Sequence, residues 1–87
     1  MPSQTGRVSR ITVSESLDAA CVNILDSSLT NHLFMLWSYP TSDTSAEARI
    51  VHGMFLSIAR DALVNAKDVT ITHASGSSLV ATIEIAN

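Results

Sequence analysis

The chain has 87 residues, 46% of them apolar and 15% charged, with five lysines plus arginines and a formal net charge of −3. This is the length of one domain, and the apolar fraction fits a folded chain rather than a disordered one. So few basic residues are poor material for neutralising phosphates, which argues against nucleic-acid binding, and no apolar stretch approaches the about 18 residues of a membrane span.

Other bounds follow. No polybasic run suits an anionic membrane surface. A chain this short buries only about 60–65% of its unfolded surface, and self-association is a common remedy at this size. The single cysteine, Cys21, excludes an intrachain disulfide, and a structural zinc site would need other ligand types. The opening residues, Met1 to Arg7, lack the charged-then-apolar pattern of a signal peptide. A cytoplasmic location is the expectation; secretion of a processed chain stays open.

In chain order, residues 1–5 read as a flexible tail and 6–87 as one domain. After Gly6, Arg7 to Val13 reads as a strand, with Ile11 and Val13 on one face and Arg10 and Thr12 on the other. Residues 14–27 are open. Leu17, Ala20, Cys21, Ile24 and Leu25 have helical spacing, with Ser14 as a cap; Ala20, Val22 and Ile24 also alternate as in a strand. A turn-rich link, Asp26 to Asn31, leads to a third strand over His32 to Tyr39, ended by Pro40.

Thr44 and Glu47 form a capping box for a helix running to about Ala66. Val51, Met54, Phe55, Ile58, Ala59, Ala62, Leu63 and Ala66 share one half of its wheel, an expected core face. Val69 and Ile71 then alternate with Asp68, Thr70 and Thr72. Beyond the turn at Ala74 to Ser78, Leu79, Ala81, Ile83 and Ile85 alternate with Val80, Thr82 and Glu84. This predicts a hairpin with one buried face.

With 19–25 as a strand the order is βββαββ. That is an α+β chain with the element order of a five-stranded OB-like barrel, its one long helix between strands three and four. With 19–25 as a helix the order is βαβαββ.

Gly6-Arg7-Val8, Ile11-Thr12-Val13, Cys21 to Leu25, Phe34-Met35-Leu36, Met54 to Ala59, Lys67 to Ile71 and Ile83-Glu84-Ile85 carry a resemblance. In these residues the chain resembles small OB-folds, the pentameric B subunits of bacterial toxins of the subtilase-cytotoxin type and their uncharacterised relatives. The resemblance implies a barrel and a tendency to form rings. No sugar-binding residue of that family matches position by position.

No catalytic set assembles. His32, His52 and His73 are scattered without metal-ligand spacing. Cys21 reads as a small apolar side chain on a strand. Asp43 and Glu47 are accounted for by helix capping and the helix dipole. No glycine loop cradles a phosphate and no cofactor is implied. Two surfaces stand out. With Phe34 and Leu36 facing inward, Met35, Trp37 and Tyr39 form an outward stripe suited to a ligand or an interface, unless Trp37 takes the buried phase. On the helix, Ala46, Gly53, Ser57 and Val64 lie within about 40° of one another. Gly53 in mid-helix costs about 1 kcal/mol relative to alanine, and so smooth a strip lets a neighbouring subunit approach closely. The sequence therefore points to a non-enzymatic binding or assembly module forming a ring-like homo-oligomer, with a small molecule, a glycan or a protein as ligand. The alternative is a small enzyme, or enzyme subunit, with its site shared between protomers.

Overall fold

The computed structural model describes residues 1–16, 18–38 and 45–85. Leu17, Tyr39, Pro40, Asp43 and Thr44, invoked above, lie outside them. The elements are β1 (Ser3–Ser14), β2 (Ala19–Leu25), β3 (Asn31–Ser38), α1 (Ala46–Asn65), β4 (Asp68–His73) and β5 (Val80–Ile85). The order is βββαββ, so residues 19–25 take the strand alternative. Ala20, Val22 and Ile24 turn into the core at period two, while Cys21, Asn23 and Leu25 stay half-exposed.

The strands form one antiparallel sheet in the order β3-β2-β1-β4-β5. Its centre is β1, which changes partner along its length. Arg7 to Ser14 pair with β2, and Ser3 to Arg7 pair with β4. The expected tail is thus part of the sheet from Ser3 onward: Ser3, Gln4 and Thr5 face Thr72, Ile71 and Thr70. At the change of partner Gly6 passes close to β2. A Cβ there would lie 2.4 Å from the Leu25 carbonyl oxygen, so only glycine fits.

The sheet edges β3 and β5 meet at one parallel bridge, Met35 to Leu79, where the Met35 N–H donates to the Ser78 carbonyl at 2.8 Å. One bridge is a contact between edges and not a ladder.

Among the described residues, three bulges reset the inside–outside phase. Between Val8 and Arg10 the extra residue is Ser9, which lets both Val8 and Ile11 face the core. Between Met35 and Trp37 it is Leu36, which brings Trp37 opposite buried Ala20. Between Val80 and Thr82 it is Ala81. The last corrects the expected face of β5: Val80 is buried and Ala81 exposed, while Ile83 faces inward as the alternation predicts. Ile11 and Val13 share a face in the regular register from Arg10 to Ser14, and Val13, near the end of β1, is 56% exposed.

Helix α1 starts one residue later than the capping box predicts. Ser45 is the N-cap, and its hydroxyl accepts from the Ala48 N–H at 3.1 Å. Glu47 in the first turn complements the helix dipole. At the other end Ala66 takes a left-handed conformation, φ 53°, and the Lys67 N–H donates to the Ala62 carbonyl at 3.0 Å, a C-terminal cap that commonly uses glycine.

The core is built from Val8, Val22, Ile24, Phe34, Leu36, Val69 and Ile71 of the sheet, with Ala59 and Ala62 of the helix. The helix docks on those two alanines, rimmed by partly buried Phe55, Leu56 and Ile58. Small side chains let it sit close, so the docked stripe is narrower than the apolar half-wheel. Val51, Met54, Leu63 and Ala66, expected in the core, are exposed. Every buried side-chain polar atom among the described residues has a hydrogen-bond partner.

Candidate functional site

The docking of α1 decides what its other side presents. Ala46, Gly53, Ser57 and Val64 are all exposed, as their wheel positions predict, and Val64 is 75% exposed. A Cβ on Gly53 would meet nothing within 4 Å, so this glycine is not required by packing inside the protomer. Beside the strip stand two residues that the sequence reading did not assign to it. Ile50, 66% exposed, and Met54, 57% exposed, extend it toward the exposed side of Val51. The signal was available: apolar residues occur on both sides of the wheel, more than one docking stripe can bury. Ile50, Val51, Met54, Leu63 and Val64 of this one helix are all exposed, and clustered apolar side chains of this kind are what contact surfaces present.

The strip has charges of opposite sign on its two sides. At the ideal step of about 100° per residue, Arg49 and Arg60 stand on one side of the Gly53 strip, and Asp61 and Glu47 stand on the other, interleaved with Ile50, Met54 and Val51. All four are exposed.

The expected stripe on β3 is not assembled. Met35 is half-exposed on the outer sheet face, opposite Cys21 and beside Thr12 in a shallow depression of about 130 Å³. Trp37 packs against the core instead, its ring stacked on His52 of α1 with centroids 6.0 Å apart and planes 16° apart. Tyr39 lies outside the described residues. The bulge at Leu36 separates Met35 from Trp37: a two-residue step on β3 spans a one-residue step on β2, so neighbours that alternate in sequence end on different faces.

The histidines occupy three separate settings. His52 stacks on Trp37 and lies tilted at 44° against Phe55. The His73 ring lies 5.1 Å from that of Phe34, and its Nδ1 lies 3.0 Å from the Ala74 carbonyl. His32 Nε2 lies 2.7 Å from Asp26 Oδ2. Asp26 organises the β2–β3 turn, accepting at Oδ1 from the N–H groups of Ser28 and Thr30 at 2.8 and 3.0 Å. The His32 hydrogen bond, and then that from Thr30, hold its carboxyl below the ordinary value. No histidine lines the depression beside Cys21, and among the described residues no three His, Cys, Asp or Glu side chains cluster to hold a metal.

A larger open cleft, about 400 Å³, lies where β1 changes partner, between Thr5, Gly6, Arg7, Leu25, Asp26, Ser27 and Asp68. Its polar groups are engaged: Asp26 with its turn, and Arg7 Nε with Asp68 Oδ1 at 3.8 Å. That pair is more than half exposed and adds little to stability. The helix carries most of the exposed large apolar side chains among the described residues, with Val13, Leu29 and Leu33 exposed elsewhere. No helix among the described residues is long and apolar enough to cross a membrane.

No family model, curated protein or solved structure matches the chain.

Proposed function

We propose that this chain is a non-enzymatic assembly or binding module, an OB-like barrel that self-associates into a ring through the outer face of α1. The observation that carries the reading is the exposed strip centred on Gly53, with Ile50 and Met54 beside it. An apolar patch on a small domain with few charges is surface that a partner covers.

The charges on the two sides of the strip favour parallel over antiparallel copies. Parallel helices side by side set the basic flank of one against the acidic flank of the next. Arg60 then meets Asp61 of the partner subunit at nearly the same height, about 1.5 Å of rise apart. An antiparallel two-fold pair would set basic against basic. Such contacts select the arrangement more than they strengthen it. A head-to-tail contact of this kind closes into a ring when its rotation permits, and ring assembly is also what the resemblance implies.

The barrel reading has its own support. In a sheet of five strands with every neighbour antiparallel, the two edges run in the same direction, so closure must be parallel. The Met35–Leu79 bridge between β3 and β5 has that sense.

Light scattering on the purified chain tests the assembly. The wild type is expected at a multiple of the protomer mass. Gly53→Leu and Arg60→Glu are expected to reduce it, and adding Asp61→Arg to Arg60→Glu to restore it. A monomeric wild type, or an unchanged mass in Gly53→Leu, overturns the reading.

A further inference from the structure

Cys21 and Met35 are a cross-strand pair on the outer face of the sheet. The chain has one cysteine and three methionines, and one of the three stands directly opposite the cysteine. Both residue types are ordinarily among the most buried. Here both are half-exposed, side by side in the wall of one depression.

Backbone geometry brings these two side chains close. The Asp26 N–H donates to the Thr30 carbonyl across the β2–β3 turn, so Thr30 points its backbone groups at β2. The register is regular from Leu25 opposite Asn31 to Cys21 opposite Met35. Alternation along the strand therefore turns the backbone groups of Phe34 toward β2 and those of Met35 away from it. The Met35 N–H accordingly donates to Ser78 on the far side. Cys21 and Met35 thus form a non-hydrogen-bonded pair, in which Cα atoms are about 4.5 Å apart and side chains lie closest. An ion held at about 2.3 Å from each of two sulfurs needs them roughly 4–5 Å apart, a span this pair covers.

We propose that Cys21 and Met35 bind one Cu(I) ion, through the Cys21 thiolate and the Met35 thioether. Both are soft donors, which select Cu(I). Calcium and magnesium take oxygen ligands. Zinc takes about four ligands, and among the described residues no three His, Cys, Asp or Glu side chains cluster. Thr12 and Ser14 bring only neutral hydroxyls to the depression, and Ala19 and Ala20 give it an apolar wall. Such a wall limits the access of water to the ion. Binding replaces the thiol proton: Cys21 thiol and Cu(I) give the copper thiolate and one released proton, and copper keeps its oxidation state. The site stands on two strands of one protomer and needs no second copy.

Anaerobic titration with Cu(I) against bathocuproine disulfonate tests the site. The wild type is expected to take one Cu(I) per chain and to release one proton with each. X-ray absorption at the copper edge is expected to show two sulfur neighbours. Cys21→Ser is expected to abolish binding. Met35→Leu keeps the bulk and removes the thioether. It is expected to weaken binding by at least about tenfold, since even groups that only orient a ligand commonly cost that much. Met54→Leu, on α1, is expected to bind as the wild type does. Absence of binding by the wild type overturns the proposal. So does wild-type affinity in Met35→Leu, which would leave a thiol acting alone, or one Cu(I) per two chains, which would mean a thiolate bridging copies. If Cys21→Ser loses its far-ultraviolet spectrum, the sulfur count at copper in the wild type decides, and a single sulfur overturns the site.

Discussion

Gly6 and Leu25 are in closer backbone contact than any side chain permits. A Cβ on Gly6 would lie 2.4 Å from the Leu25 carbonyl oxygen and 2.8 Å from Ile24 Cγ2. Leu25 is held by its strand, and Ile24 is fully buried, so neither moves freely. The contact sits where β1 passes from β2 to β4, and relief would separate the two ladders. Gly6→Ala is expected to destabilise the fold by about 1–3 kcal/mol, the usual cost of overpacking. Urea denaturation checks this; wild-type stability in Gly6→Ala would show that β1 has room to shift.

Asp26 makes the β2–β3 turn acid-sensitive. Its folded carboxyl is held below the ordinary 3.8 by the bonds from His32, Thr30 and Ser28. A lowered folded pKa means that the unfolded chain binds more protons, so stability rises with pH through this window. The contribution is complete above about 3.8 and is lost as pH falls through the lowered folded value. Asp26→Asn keeps one acceptor and removes the charge. Wild type is expected to melt higher than Asp26→Asn near about pH 5–6, with the difference closing in strong acid. A gap independent of pH would assign the effect to packing of the turn.

Gly53 and Ala66 are placed against their intrinsic preferences. Gly53 lies in mid-helix with open space around it, and Ala66 lies at φ 53°, where glycine is favoured. Gly53→Ala is expected to stabilise the protomer by about 1 kcal/mol. Ala66→Gly is expected to stabilise it by roughly 0.5–1 kcal/mol. Thermal melts at low concentration measure both. A destabilised Gly53→Ala would indicate that the protomer itself, and not a neighbour, needs the glycine.

Several features were legible because their cause is local. The alternation of Val69 and Ile71, the helical spacing of α1, and the breaking residues between elements all act over a few neighbours. The small-residue strip on α1 was visible for the same reason, since wheel position follows from number alone. The Met35–Trp37 stripe failed because it assumed unbroken alternation. The bulge at Leu36 is a relation between two strands and leaves no mark in β3 by itself.

By itself, the sequence determined the number, kind and order of elements outside residues 14–27, and which side of α1 is smooth. It determined these because backbone periodicity and capping are written in neighbouring residues. Tertiary structure alone decided that Ala19–Leu25 is a strand, that Ala81 yields its inward place to Val80, and that α1 docks on Ala59 and Ala62. An apolar run takes the period of whatever it packs against. The helix settles on the line of Ala59 and Ala62, and Ile50 and Met54, which lie away from that line, stay exposed on its outer face.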